Sequence, residues 1–116
     1  MTKIVFFRRE GLFYGFEEQG HTGYGESGDD ILCAALSSMT MLILNTIEIS
    51  YAGDVKYDID ETSTRVTVKC MCVLPEFEAD EKKRFAVEGL FKGYYYQLND
   101  LLEEYYEHLD VEVIDD

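Results

Sequence analysis

Two short runs of branched and aromatic side chains open the chain, Ile4-Val5-Phe6-Phe7 and Leu12-Phe13-Tyr14-Gly15-Phe16, with Arg9-Glu10-Gly11 between them. Such residues suit a pleated surface, so residues 2–8 and 12–18 are predicted strands joined by a short hairpin connection. The next stretch, Gly20-His21-Thr22-Gly23-Tyr24-Gly25-Glu26-Ser27-Gly28, is small, polar and without period, and predicts a loop. A helix is expected over residues 30–49, where Ile31, Leu32, Leu36, Met39, Leu42, Ile43, Leu44 and Ile47 point nearly all round the axis. A helix apolar on every side has to be covered on more than one, by a second layer or by a second subunit.

Gly53 marks a turn, residues 55–60 a short strand with acidic punctuation, and Glu61-Thr62-Ser63 a second turn. The clearest strand covers residues 64–74, where Val66, Val68, Cys70 and Cys72 alternate with Thr67, Lys69 and Met71 until Pro75 stops the run. Residues 79–109 predict a long amphipathic helix. Val87, Leu90, Phe91, Tyr94, Tyr95, Leu98, Leu101, Leu102, Tyr105 and Leu109 recur there at spacings of three and four. Gly89 and Gly93 on that helix suit close approach of a neighbouring element, and residues 111–114 suit a final edge strand. The order is ββαββαβ. It predicts an α+β fold with two helices on a mainly antiparallel sheet.

Composition sharpens this picture in three ways. At 116 residues with 47% hydrophobic and 14% aromatic content, residues 1–116 are expected to form a single domain around one core. Ten basic against 24 acidic residues leave a formal charge of -14, which disfavours nucleic acid and either favours a basic protein partner or simply keeps a small protein soluble. Three cysteines without framework spacing fit a reducing cytosol. The run Ile4–Phe7 is too short for a signal core, and Arg8, Arg9 and Glu10 follow it directly. No stretch is expected to span a membrane: residues 31–47 come closest, but Ser37, Ser38, Thr40, Asn45 and Thr46 interrupt them.

Candidate chemistry gathers in one place. Asp29 or Asp30 is placed to cap the predicted helix, which would put Cys33 in its first turn with His21 a dozen residues upstream. A thiol at a helix N-terminus near an imidazole is a route to a thiolate at neutral pH, and the free amides there are candidate oxyanion donors. The bland alternative is that Cys33 is a small core residue. Asp29 and Asp30 oppose a thiolate by like-charge repulsion, so the reactive reading needs an imidazolium from His21. Ser37, one turn after Cys33 and on its face, is a candidate partner for substrate or dyad, although spacing alone favours a bond to a carbonyl one turn back.

Two other patterns lead nowhere. Gly23-Tyr24-Gly25-Glu26-Ser27-Gly28 matches G-x-G-x-x-G, but Glu26, Asp29 and Asp30 would repel a pyrophosphate and the preceding hairpin is not a βαβ unit. Cys70 and Cys72 share a strand face with Val66 and Val68, which reads as core. With His108 on the long helix no zinc spacing is completed, so neither metal nor cofactor is expected.

Gly20-His21, Tyr24, Gly28 and Asp30-Ile31-Leu32-Cys33-Ala34-Ala35-Leu36-Ser37 resemble the signature of the ribosomal-processing cysteine proteases called Prp. That signature reads G-H-A-x-Y, a short glycine-containing loop, then D-I-V-C-A-A-V-S. Here Thr22 and Gly23 fill less fixed positions, and Leu32 and Leu36 stand where valine is usual. The resemblance implies a small bacterial cytosolic endopeptidase that dimerises through its helices. It also implies a substrate, the precursor of the twenty-seventh protein of the large ribosomal subunit, from which an N-terminal extension is removed. Carried over, Cys33 is the nucleophile and His21 the general base and acid, with Gly20, Asp30 and Ser37 shaping or supporting the site. The rival reading is a non-catalytic acidic homodimer that binds a basic ribosomal or assembly partner and keeps Cys33 as a core residue. A cysteine hydrolase of small molecules is disfavoured, since nothing in the sequence resembles a phosphate or cofactor pocket.

Overall fold

The computed structural model describes residues 1–20, 27–60 and 62–116, and for residues 27–30 the backbone alone. Thr2–Arg9 (β1) and Leu12–Gln19 (β2) form an antiparallel hairpin whose last pair is Arg9 with Leu12. Only Glu10 and Gly11 lie between, both at positive φ (49° and 82°). That is the signature of a type I′ turn, whose twist matches that of the flanking strands. A bulge between Phe7 and Arg8 shifts the register, so that Phe13 turns inward with Phe6 while Tyr14 lies beside Phe7.

Val55–Asp60 (β3) and Arg65–Cys70 (β4) form a second antiparallel hairpin, and β4 joins β2 along Gly15–Glu18. Asp60 closes the turn between them by accepting the amides of Thr62 and Ser63. Leu109–Asp115 (β5) runs parallel to β1, giving the sheet order β3-β4-β2-β1-β5. The predicted ββαββαβ order is therefore observed, with one parallel pair at an edge of an otherwise antiparallel sheet.

The first helix (α1) covers Ser27–Asn45 and runs on into a π-helical turn, Thr46–Ser50. The second (α2) covers Glu81–Tyr105 and is capped by Asp80, whose carboxylate accepts the amides of Lys82 and Lys83. Its fully buried stripe is Val87, Phe91, Tyr94 and Leu98, at helical spacing. Phe91 and Tyr94 pack their rings against Phe16, with centroids 6.1 and 4.8 Å away, and Tyr94 also meets Phe6 at 5.8 Å. Each such side chain taken out of water contributes about 1.5–3 kcal/mol. Both helices lie on one face of the sheet. The other face carries ion pairs (Lys3 with Glu112, Arg65 with Glu17) and the Lys69 ammonium over the Phe7 ring at 4.4 Å.

Three boundaries and one reading of hydropathy differ from the pattern-based expectation. Helix α1 begins at Ser27 rather than at residue 30, so Cys33 sits in its second turn and not its first. Strand β4 stops at Cys70, where its pairing with β2 and β3 runs out, and Met71–Val73 turn as a single 3-10 coil. The alternation survives that turn because Cys72 is buried like Cys70. Helix α2 ends at Tyr105, and His108 lies in the turn that follows, where its carbonyl accepts the amide of Thr2 at 2.8 Å and starts the β1–β5 pairing. Finally, Ile31–Ser50 is, against expectation, long and apolar enough for a membrane span, at mean hydropathy 1.6. Its Leu32, Leu36, Ile43, Leu44 and Ile47 belong to the core shared with the sheet, which accounts for that hydropathy.

Candidate active site

The site is built where β2 ends beneath α1. Phe16 and Glu18 share the helix-facing side of β2, two residues apart in a strand. Glu18 is only 3% exposed. Its Oε1 accepts the hydroxyl of Thr40 on α1 at 3.1 Å and that of Tyr94 on α2 at 2.8 Å. Burial and the neighbouring Glu18 charge together push the Tyr94 phenol well above its ordinary range, so it stays a neutral donor.

Cys33, Ser37 and Thr40 lie at i, i+4 and i+7 on α1, which puts all three on one helix face. Thr40 fixes where that face points, toward the end of β2. Cys33 is buried, about 10 Å from Thr40 along the axis at 1.5 Å per residue. Ser37 is exposed and lines a cleft of about 380 Å³. Thr40 and Met41 continue the α1 wall, Tyr57, Ile59, Asp60 and Val66 of the β3–β4 hairpin form the opposite wall, and Glu18 lies at the base. The lining is apolar along its length and acidic at two points, suited to an extended chain carrying polar or basic groups.

Gly20 leaves β2 just past Glu18 at φ 76°, and a Cβ there would stand 2.6 Å from the carbonyl oxygen of Met1. Both the conformation and the space require glycine. The predicted His21 follows directly in sequence but lies outside the described residues, as do residues 22–26 with most of the G-x-G-x-x-G match. Asp30 is helical, and its side chain lies outside the described residues too. Of the five predicted site residues, then, Ser37 alone lines the cleft, Cys33 shares its helix face one turn earlier but is buried, and Gly20 turns the chain out just past the end of β2.

The later start of α1 changes one part of the expected chemistry. Only the first four amides of a helix are free, and the field of its positive end fades within the first turn. Cys33 is the seventh residue of α1, so its own amide belongs to the helix ladder and is not a free oxyanion donor. Glu18, Thr40 and Tyr94 were not among the predicted site residues. One signal points to Glu18: counted by twos from Phe16, a carboxylate falls on the core side of a strand.

Fold and cleft together define an α+β protein with a buried thiol on α1, one turn from a cleft that Ser37, Glu18 and Asp60 help to line. A family model described as cysteine protease Prp matches residues 1–110. The chain belongs to the cysteine protease Prp family and is a cysteine endopeptidase. Family membership sets aside the non-catalytic reading. Among solved structures, SMU.848 from Streptococcus mutans is similar at 27% identity and a TM-score of 0.81, over 100% of this chain and 99% of that one. The Staphylococcus aureus ribosomal processing protease Prp has been solved with a substrate peptide (16% identity, TM-score 0.75, 100% of both chains). The same enzyme with a covalently linked product peptide gives 17% identity and a TM-score of 0.75, over 98% of this chain and 100% of that one. At those identities the two S. aureus structures speak for the fold. No curated protein matches the sequence.

Proposed function

We propose that Cys33 is the nucleophile and His21 the general base and acid of a ribosomal-protein-processing endopeptidase, and that residues 1–116 act as one domain. The observation that carries this reading is that Cys33 lies one turn before Ser37 on the α1 face whose Ser37 and Thr40 line the Glu18 cleft, in a chain of the Prp family. In this mechanism the Cys33 thiolate attacks the scissile carbonyl and a tetrahedral oxyanion forms. The imidazolium of His21 gives its proton to the leaving amine as the C–N bond breaks, leaving a thioester. Water, deprotonated by the then neutral imidazole, attacks the thioester, and the new carboxyl end departs. The sequence names no third residue that orients His21, so the pair acts as a dyad. Gly20 directs the chain that carries His21, while Asp30, near the start of α1, and Ser37, one turn after Cys33, support the site. No cofactor or metal takes part in this scheme.

The substrate in this reading is the N-terminal extension on the precursor of the twenty-seventh protein of the large ribosomal subunit. Two features favour it: the S. aureus relative is described as a ribosomal processing protease with a bound substrate peptide, and a charge of -14 steers a basic ribosomal protein inward. The same charge speaks against direct binding of nucleic acid. Ribosome maturation places the enzyme in the cytoplasm and off the membrane.

A homodimer formed through the helices completes the proposal. Ile31 and Leu42 stand on the side of α1 opposite Thr40, 60% and 59% exposed. Beside them a groove of about 230 Å³ between the helices is lined by Met39, Leu42, Ile43, Gly89, Leu90 and Gly93. Added Cβ atoms at Gly89 and Gly93 would meet nothing within 4 Å of the chain itself, which leaves that helix face open to a second copy. The dyad is tested by labelling. A small alkylating agent should modify Cys33 in the folded protein, and His21→Ala should slow that labelling at pH 7 by tenfold or more. A Cys33 that reacts only on unfolding would return it to the core and contradict the proposal.

A further inference from the structure

A pair of thiols, apart from Cys33, lies at the far end of β4 from the Glu18 cleft. Cys70 is the last residue of that strand and Cys72 the middle of the turn Met71–Val73. Two residues apart in an extended strand, side chains on one face stand about 6.7 Å from each other. The turn draws these together, to 2.7 Å between the two Sγ atoms, and both cysteines are free thiols. A disulfide needs about 2.05 Å, so bond formation asks for a shift of only about 0.7 Å.

The two thiols differ in access. Cys70 is fully buried, its Sγ 3.7 Å from the carbonyl oxygen of Asp54. Cys72 is 8% exposed and lines a cleft of about 370 Å³ with Lys56, Lys83, Asp54 and Glu78. The hydrogen bond from Cys70 holds the Cys72 thiol below its ordinary range, helped by the positive charge of Lys83 and opposed by burial and by Glu78, which is ion-paired to Lys83 at 3.1 Å. Donating that bond, together with burial, raises the Cys70 thiol. Cys72, the thiol that reaches a cleft, is thus placed to meet an oxidant first, and Cys70, with its Sγ 2.7 Å away, to close the bond.

We propose that Cys70 and Cys72 form a second reactive thiol site, a C-x-C dithiol that hydroperoxides oxidise to an intramolecular disulfide. The Cys72 thiolate attacks the terminal peroxide oxygen, the O–O bond breaks, and the departing oxygen takes up a proton and leaves as water from hydrogen peroxide or as the alcohol from an organic hydroperoxide. Cys72 is then a sulfenic acid. The Cys70 thiol loses its proton and attacks the Cys72 Sγ, the S–S bond forms, the S–O bond breaks, and water leaves. Two thiols have given up two electrons, which the peroxide has taken. A dithiol reductant reverses the step by exchange.

Trypsin reports on this site separately from Cys33, because cleavage after Lys69 and Lys82 isolates residues 70–82 and Cys33 falls in residues 10–56. Wild-type protein is treated with one equivalent of hydrogen peroxide, folded and in denaturant, then alkylated and digested. The expected result is a 70–82 fragment that has lost two hydrogens, formed at least tenfold faster in the folded protein and restored by dithiothreitol. In a Cys70→Ala variant, dimedone should trap a sulfenic acid on Cys72. Slower oxidation in the folded protein than in denaturant, or over-oxidation in place of the internal disulfide, would return both cysteines to a purely structural role.

Discussion

Glu18 of β2 accepts the hydroxyl of Tyr94 of α2 at 2.8 Å, beneath the floor of the cleft that Ser37 lines. The same Oε1 takes the hydroxyl of Thr40, so one carboxylate ties the sheet to both helices. A buried carboxylate is costly to hold unless donors surround it. Its position at the cleft base links the stability of the fold to the shape of the site.

Tyr94→Phe should therefore lower stability by about 1–3 kcal/mol, the cost of leaving a buried acceptor short of a donor. Urea denaturation with unchanged slope would measure it. Catalysis should fall as well, since Thr40 alone would then hold Glu18.

Glu18→Gln removes the charge and keeps the shape. The expected outcome is a folded enzyme whose KM for a basic substrate peptide rises about tenfold, equivalent to 1.4 kcal/mol, with kcat little changed. An unchanged KM would confine Glu18 to a structural role.

Gly20→Ala meets two obstacles, a left-handed backbone that costs about 1–2 kcal/mol for a residue with a Cβ and the carbonyl of Met1 at 2.6 Å. Thermal denaturation should show a clear loss of stability. Activity should drop further than stability alone explains, because His21 is the next residue in the chain.

At the other end of the sheet, Arg8 grips Asp115 through two bonds (2.5 and 2.8 Å), and Asp116 takes Arg9 and the Tyr14 hydroxyl. Hydrogen bonds from Arg8 to Asp115 and from Arg9 to Asp116 hold both carboxyls below the ordinary 3.8. A folded-state value lower than the unfolded one means stabilisation that is complete above the unfolded value and lost as pH falls through the folded one. The pairing of β5 with β1 should thus persist at pH 5 and loosen below about pH 4. Amide hydrogen exchange along Val111–Ile114 would report it, and equal protection at pH 5 and pH 3 would contradict it.

Much of this architecture is legible in the amino-acid pattern, and the exceptions have physical causes. The Glu10-Gly11 turn and the body of β4 stand out because turn chemistry and alternation are local. Hydropathy alone does not separate the buried helix Ile31–Ser50 from a membrane span, since that depends on what packs against it. The end of β4 depends on where its partners stop, which no property of residues 70–74 announces. The start of α1 falls before Asp29 and Asp30, the strongest capping residues in the segment, and that places Cys33 deeper than capping chemistry predicts. Cys33 and Ser37 are legible as a pair by helical spacing, whereas Thr40 and Glu18 join them only once strand and helix are brought together.

The dimer proposal turns on the open helix face. Gly93→Leu adds a side chain where the single chain offers no obstruction, so the fold should persist while self-association weakens at least about tenfold in sedimentation velocity, or 1.4 kcal/mol. A dimer of unchanged affinity would move the interface elsewhere.

The central claim is that Cys33 and His21 cut a ribosomal-protein precursor. The most direct measurement incubates a synthetic peptide spanning the extension and its junction with wild type, Cys33→Ala and His21→Ala, and follows the products by mass spectrometry. The account predicts one cut at the junction by wild type, none by Cys33→Ala, and a rate at least about a hundredfold lower for His21→Ala. Cleavage by Cys33→Ala at the wild-type rate would contradict it.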